Sequence, residues 1–548
     1  MIRCCFPFGT RLGTCRTVLY LLLLIIPSKS IAQPGPSSIL KSILQNADTT
    51  YSAIVLAEGI VEPVHLLKSF YESGQYNIAW HDRSDVDEYL AVIRDAGSEG
   101  LDPERYHLKA LEKYQTKLNS EREVAFFDLM LTDSFLDYSS DILCGKLDPE
   151  ILYPGKWEAD TPETNLVLML RQALAGHTIS ASISNLKPGH PGYHKLKVAL
   201  AHYKEIKANG GWPLVALDGP SILPGMTNEE LPVVRKRLMI TGQLTSEYQP
   251  PQETKYDSVL VYAVIKFQRQ NGMRDDGIIG ATAREALHSS VDDYINTLEL
   301  NLERYRWLPQ TFESRYLTVN IPAFTVDVYE QDSVVNSMRA IVGRVERTTP
   351  VLSSYISHLI CNPTWTVPPT ILKEDVLPAV RRNVGYLKEH HLRVINRNGG
   401  EVAPDNLPWS TYTFANFPYI VRQDPGPFNS LGLIKFEFHN HHSVFLHDTN
   451  SKMLFNEPFR ALSSGCIRIE RPLELAVYLF KGTSWNEAKF RTFIKSKVTG
   501  TVLLPQPFPI HIVYFTAFVG RDNQLQMRRD VYGWDKPAIE AIKVAIGR

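Results

Sequence analysis

Three observations predict an α+β multidomain protein. From Gln33 to about Gly211 apolar residues return every three or four positions. A compact, again helical segment spans roughly 223–287. Beyond Leu300 the chain turns to short runs of β-branched and aromatic residues bounded by Gly, Pro, Asn and Asp. With 548 residues and 44% hydrophobic content it can bury several cores. A formal charge of −1 with evenly mixed signs gives no field for nucleic acid or an anionic membrane, so nucleic-acid partners are excluded and a ligand must be recognised locally.

Residues 1–32 read as a secretory signal. Arg3, Arg11 and Arg16 precede an apolar run over 18–26, then come Pro27 and the small-residue triplet Ser30-Ile31-Ala32. A membrane-spanning helix needs about twenty apolar residues, roughly twice this run, so cleavage after Ala32 and a mature chain that is not an integral membrane protein are expected. Cys4, Cys5 and Cys15 would leave with the signal, and Cys144, Cys361 and Cys466 remain. Three cysteines are no disulfide framework. An odd count in an oxidising compartment points to a thiol kept free, with a Cys144–Cys361 bridge left open.

The first domain, 33–220, is a helical scaffold. Val86, Leu90, Ile93 and Gly97 share one helical spacing, as do Val124, Phe127, Leu131 and Phe135. A further helix is predicted over 161–176, opened by Thr161-Pro162 and closed by Gly176. Turns are predicted at 97–100 and 188–192.

The second domain, 221–290, is a small helical module. Leu260, Ala263, Val264 and Phe267 line one helix face after a cap at Asp257 or Ser258, Asn271-Gly272 ends that helix, and 276–280 turns into another.

The third domain, 291–548, is mainly β, with strands predicted at 316–319, 324–329, 337–342, 435–438, 443–447 and 510–519. Between them lies a Pro-rich stretch of about 362–428, too long for a plain connection. Its helical pattern at 373–388 argues for an ordered lid.

The chemistry is concentrated late in the chain. His447 precedes Cys466, which closes the run Ser463-Ser464-Gly465-Cys466-Ile467-Arg468. A thiol reacts as thiolate and needs a neighbouring base or cation, and His447, at a strand end after the Asn440-His441 turn, can supply the base. Asp448 is adjacent in the strand and points to the opposite face, so a backbone carbonyl is the better candidate to orient the imidazole. In an extended segment Ser464, Cys466 and Arg468 share a face, with Gly465 allowing close approach of a substrate backbone. Arg468 then serves the thiolate, the oxyanion or a substrate carboxylate, and backbone N–H groups around Gly465 and Cys466 supply an oxyanion hole. A lone cysteine is more often a buried structural one; the surrounding turn and the exported context favour catalysis here.

Two other clusters were weighed. His439, His441, His442 and His447 lie close in sequence but lack a Cys, Asp or Glu set at metal-site spacing, so a solvated hairpin tip is expected and no metal or cofactor is called for. Glu437 and Asp448 as a glycosidase pair rest only on the chance offered by any surface strand.

At these residues the chain resembles the L,D-transpeptidases, whose signature is a His, a gap, and Ser/Thr-His-Gly-Cys-x-Arg. Here Ser464 replaces the usual signature His. Val342-Gly343-Arg344, Arg347-Thr348-Thr349-Pro350, Asn362-Pro363-x-Trp365-x-Val367-Pro368-Pro369, Asn429-Ser430-Leu431-Gly432 and Leu446-His447-Asp448-Thr449 extend the likeness to the large branch of that family, as do Gly100-Leu101-Asp102-Pro103 and Gly210-Gly211-Trp212-Pro213 in the scaffold. Phe267-Gln268-x-x-Asn271-Gly272 with Asp276-Gly277-Ile278-Ile279-Gly280 resembles the three-helix peptidoglycan-binding module, against which stands a packed helical hairpin with no ligand.

The resemblance implies a periplasmic enzyme whose partners are peptidoglycan stem peptides. It would release D-alanine from a tetrapeptide stem through a Cys466 thioester and pass the acyl group to a second stem as a 3→3 crosslink. It further implies acylation by β-lactams of the carbapenem class, and substrate or oxyanion contacts from Ser463, Ser464, Gly465, Trp365 and Asn429 beside the catalytic Cys466, His447 and Arg468. Hydrolysis by an L,D-carboxypeptidase using the same residues, and a non-catalytic wall-binding scaffold, are the alternatives.

Overall fold

The computed structural model describes residues 34–47, 54–56, 59–61, 64–160 and 162–546. The expected signal segment lies outside them. Among the described residues no helix is long and apolar enough to cross a membrane.

In the N-terminal part, helices gather around Glu121–Cys144. Ser120 starts that helix, its hydroxyl accepting from the Glu123 N–H at 3.3 Å, and Gly145 at φ +82° ends it. Arg83–Arg94, Leu108–Thr116 and Leu166–Gly176 pack on it through a shared apolar core. The helix expected from residue 161 begins at Leu166, because the Asn165 side chain accepts from the Leu168 N–H at 3.0 Å and supplies the cap that Thr161-Pro162 was expected to provide. Thr161 itself lies outside the described residues. The turn expected over 188–192 closes early, since Pro191 is already the first residue of Pro191–Ala208.

Pro191–Ala208 pairs with Val291–Arg306, and both pack with Trp212, Val513 and Phe515. Leu147, Tyr153 and Trp157, numbered within the expected scaffold, are buried in the β core instead.

The middle module comprises Leu231–Ile240, Ser258–Gln270 and Ala281–His288 around one apolar cluster. Asp257 is the cap, accepting from the Leu260 N–H at 2.9 Å. Gln268 clasps the following turn: its amide donates to Asp276 and to the Ile278 carbonyl, both at 3.0 Å, while its oxygen accepts from the Gly277 N–H at 2.8 Å. The Gln and Gly of the motif thus hold the module together internally.

The C-terminal part is a nine-stranded mixed sheet. In spatial order its strands are Ala461–Ser463, Ser333–Gly343, Ile467–Ile469, Leu446–His447, Ile434–Phe438, Leu352–Cys361, Gly500–Val513, Arg315–Asn320 and Thr325–Glu330. The long Ser333–Gly343 strand pairs with Thr325–Glu330 through its first half and with Ile467–Ile469 through its second, so the sheet closes on itself around a single apolar core.

The strand expected over 443–447 shrinks to Leu446–His447. The Asn440 side chain accepts from the His442 and Val444 N–H groups, both at 3.0 Å, and donates to the Val444 carbonyl at 2.8 Å, taking backbone groups that a ladder would have used. The strand expected over 510–519 breaks after Val513, where Asn320 and Asn301 accept from the Phe515 and Thr516 N–H groups, both at 3.0 Å. Leu352–Cys361, and the 500–509 part of its long partner, carry no expectation from sequence. In the partner, Pro505 and Pro507 coincide with a register shift between Leu503 and Phe508.

The 362–428 insertion is a folded unit. It carries its own four-stranded sheet and its own core of Val376, Leu377, Val380, Leu387, Val394 and Trp409. Its helical stretch is interrupted, with Leu377–Arg382 and Gly385–Glu389 separated at Asn383, which is extended.

Cys144 lies in the scaffold core and Cys361 in the β core, and no disulfide joins them.

Candidate active site

The Ile434–Phe438 and Leu446–His447 hairpin sets His447 opposite Lys435, and the parallel pairing of Leu446–His447 with Ile467–Ile469 sets it opposite Arg468. Residues opposite one another share a face of the sheet. Cys466 directly precedes Ile467–Ile469 and lies two positions from Arg468, so sulfur, imidazole and guanidinium lie on one face, with Lys435 beside them.

His447 is 5% exposed, whereas Cys466 and Arg468 reach the surface in part. The Cys466 thiol donates toward the Ser443 carbonyl at 3.8 Å, and the Phe445 N–H supports the sulfur when it is charged.

His447 Nδ1 lies 2.5 Å from the Asp448 carbonyl oxygen. Only a protonated Nδ1 can donate there, which leaves the Nε2 lone pair for a proton. The Asp448 carboxylate is on the far side, accepting from the Leu433 N–H at 2.8 Å and from Lys452.

The turn carrying Cys466 is built by its neighbours. Ser463 is buried; its hydroxyl donates to the Cys466 carbonyl at 2.5 Å and accepts from the Gly465 N–H at 3.2 Å. Gly465 has φ +110°, a conformation open to glycine and costly to other residues. Its carbonyl accepts from Thr349 Oγ1 at 2.7 Å. Of the two backbone N–H groups expected to face an oxyanion, Gly465's is therefore turned to Ser463. Ser464 is exposed and its hydroxyl accepts from Arg347 Nη1 at 3.0 Å.

Burial dominates the electrostatics. It holds His447 down to about 3, with the Arg468 charge adding to the effect, and it pushes the Cys466 thiol up to about 11 against the opposing influence of the Phe445 N–H, Lys435 and Arg468. Thiol and imidazole are thus both neutral at rest, so a proton would leave sulfur only as it attacks. Burial also pulls Arg468 below the usual guanidinium range, and its Nε is buried without a hydrogen-bond partner. A guanidinium held this way is suited to receive negative charge that arrives with a substrate or develops during reaction. Lys435 is engaged by Glu437 and sits over the Phe445 ring at 3.7 Å.

Two residues expected to contact substrate have partners in and around the insertion. Asn429 is 1% exposed and its side chain is spent on backbone: Nδ2 donates to the Pro363 and Asp424 carbonyls at 2.9 and 3.0 Å, and Oδ1 accepts from the Leu431 N–H at 2.8 Å. It clasps the two ends of the insertion, with Gly426 and Gly432 folding the chain back around it. Trp365 sits in the insertion's own sheet opposite Gln423 and packs on the insertion core.

Arg347, Thr349, Lys435 and Phe445 were not singled out by sequence reasoning. Arg347 and Thr349 sit in a stretch quoted only for its likeness, and pairing across remote strands carries no local signal. Among the histidines weighed as ligands, His442 is 2.9 Å from Glu158. In the helical part Asp82, Asp85 and His177 form a group within 4.8 Å that could hold a metal ion; there His177 Nδ1 lies 3.1 Å from Asp85.

The fold thus places a thiol, an imidazole and a guanidinium on one face of a closed mixed sheet. Residues 314–494 match the L,D-transpeptidase catalytic domain model, residues 227–287 the "Putative peptidoglycan binding domain", and residues 65–200 the scaffold domain. The chain therefore carries an L,D-transpeptidase catalytic domain and a peptidoglycan-binding domain. A protein of Haemophilus influenzae named "Putative L,D-transpeptidase" is 34% identical over 239 residues, which are 44% of this chain and 48% of that protein, so the chain spans about half the length of this relative. The crystal structure of the L,D-transpeptidase of Xylanimonas cellulosilytica, residues 123–326, matches at 15% identity with a TM-score of 0.19, covering 54% of this chain and 98% of that one.

Proposed function

We propose that the protein is an exported peptidoglycan L,D-transpeptidase that forms 3→3 crosslinks through a Cys466 thioester. The observation that carries this reading is the shared face of Cys466, His447 and Arg468, together with an imidazole whose Nδ1 is engaged and whose Nε2 is left as base. In the first half-reaction sulfur attacks the carbonyl carbon of the L-centred diamino acid and His447 takes the thiol proton. The carbon–nitrogen bond to D-alanine then breaks, and His447 returns that proton to the departing amine. In the second half-reaction the acceptor amine attacks the thioester carbon and gives its proton to His447, the carbon–sulfur bond breaks, and the departing sulfur takes that proton back. Arg468 meets the charge that builds on the carbonyl oxygen. The ordered insertion supports transfer over hydrolysis, since a closed site keeps water from the thioester. The thiol is also the expected point of carbapenem acylation, the 223–287 module is the expected contact to glycan, and the signal segment at 1–32 is expected to direct the chain to the periplasm.

The test is incubation of purified mature protein with a defined tetrapeptide, with and without acceptor amine, and resolution of the products by mass. Crosslinked dimer and D-alanine are expected. Tripeptide and D-alanine alone would assign a carboxypeptidase, and no turnover with an unreactive thiol would leave a wall-binding scaffold.

A further inference from the structure

We propose that Arg347 is a positioning residue that couples docking of the 362–428 insertion to the shape of the nucleophile turn. Its side chain is 9% exposed and joins two parts of the protein. Nη2 and Nε donate to the Glu374 carboxylate at 2.6 and 3.1 Å, and Nη1 donates to Asp375 at 2.6 Å. The same Nη1 donates to Ser464 Oγ at 3.0 Å, two residues before the nucleophile. Glu374 and Asp375 belong to the insertion, and Arg344 adds a longer 3.6 Å approach to Asp375.

The segment that presents Arg347 is itself fastened to the turn. Thr349 Oγ1 accepts from the Gly343 N–H at 2.8 Å and donates to the Gly465 carbonyl at 2.7 Å. The Thr349 N–H donates to Tyr532 Oη at 3.0 Å, and Tyr532 Oη donates in turn to the Gly343 carbonyl at 2.8 Å. The Thr348 and Arg347 carbonyl oxygens lie 3.6 and 3.8 Å from where a Gly465 Cβ would stand, so the two segments run in contact.

If the insertion lifts, Arg347 loses both carboxylates and keeps only the Ser464 hydroxyl, so its charge is left without an ion-pair partner. The docked state is therefore the one in which the guanidinium is satisfied and Ser464 is held. A planar fork reaches two carboxylates and a hydroxyl at once, which a lysine ammonium on a flexible stem cannot reproduce.

This inference rests on Cys466 being the acylated thiol, and two kinds of readout keep the two claims apart. On full-length mature protein, labelling of Cys466 by iodoacetamide and limited proteolysis within 362–428 need no turnover. D-alanine release and the transfer-to-hydrolysis ratio with a defined tetrapeptide do. The E374Q/D375N double variant should label about fivefold faster, lose protection of the insertion, shift several-fold toward hydrolysis and release D-alanine a few-fold more slowly, as Ser464 is held less firmly. R347A should show the same opening and also a fall of about tenfold in kcat for D-alanine release at little-changed KM, because Ser464 loses its partner. R347K should restore protection of the insertion but not kcat. Labelling and proteolysis unchanged from wild type in both E374Q/D375N and R347A would overturn the coupling. Opening in the variants with no D-alanine released by wild type would leave the coupling standing and remove the proposed reaction.

Discussion

The neutrality of the thiol–imidazole pair has a kinetic signature in a simple alkylation experiment. Let pH be the perturbation and iodoacetamide the uncharged probe, with C466A as the blank; Cys144 and Cys361 are buried and contribute little. Burial pushes Cys466 up to about 11, against about 8.5 for an exposed cysteine. At pH 7 the thiolate fraction is then about 10⁻⁴, roughly 300-fold below that of an exposed thiol with a few per cent ionised. The more basic thiolate is the better nucleophile, and a Brønsted slope near 0.4–0.5 over that pKa gap returns about 10- to 20-fold. Net labelling at pH 7 should therefore be about 15- to 30-fold slower than for a free cysteine, and should climb about tenfold per pH unit to beyond pH 9. The assay is the pseudo-first-order rate of single-adduct formation by intact mass. A rate that levels off below about pH 8 would refute the reasoning, because it would mean a preformed thiolate–imidazolium pair in place of a base that acts during attack.

Five further outcomes are expected. C466A should abolish D-alanine release with a melting temperature close to wild type, and H447A should fold but acylate about 10²- to 10⁴-fold more slowly, the usual loss on removing a general base, both read by mass spectrometry of the acyl-enzyme. His447, held down to about 3 from an ordinary value near 6.5, contributes stability that is present above about pH 6.5 and is lost as pH falls toward 3. Acid melting of the wild type should thus be steeper between pH 6 and 4 than that of an H447N variant, measured by calorimetry. G465A, which forces a side chain to φ +110°, should cost about 1–3 kcal/mol of local strain and slow acylation more than it lowers the melting temperature. N429A should expose the ends of the insertion to protease while leaving donor-peptide KM near wild type, since its amide is spent on Pro363 and Asp424.

How far the sequence could be read followed the range of the interactions. The hairpin at Asn440, the cap at Asp257 and the ordered insertion were legible because each is set by residues a few positions apart. The tether of His447 to a backbone carbonyl, with Asp448 turned away, follows from strand alternation alone and is what the structure contains. What stayed hidden depends on pairing between distant segments. The parallel register of His447 against Arg468, the return of Leu352–Cys361 into the sheet, and the reach of Arg347 over 117 residues to Ser464 leave no periodicity to detect. Asn429 shows the same limit: a polar residue in a distinctive motif suggests a ligand, while its amide bonds the Pro363 and Asp424 carbonyls, which only the folded chain brings to it. The helix start at Leu166 shows the same competition locally, where a side-chain cap at Asn165 outweighs an upstream proline.

The insertion leaves the sheet after Cys361 and rejoins it at Ile434, and these two residues face each other on adjacent strands, with the Asn362 N–H reaching the Leu433 carbonyl at 2.9 Å. Departure and return thus occupy one rung of the ladder. A cassette mounted in this way can be enlarged, trimmed or exchanged without shifting the register of the strands that carry His447 and Arg468, which leaves the Arg347 tie to Glu374 and Asp375 as the feature such a change would have to keep.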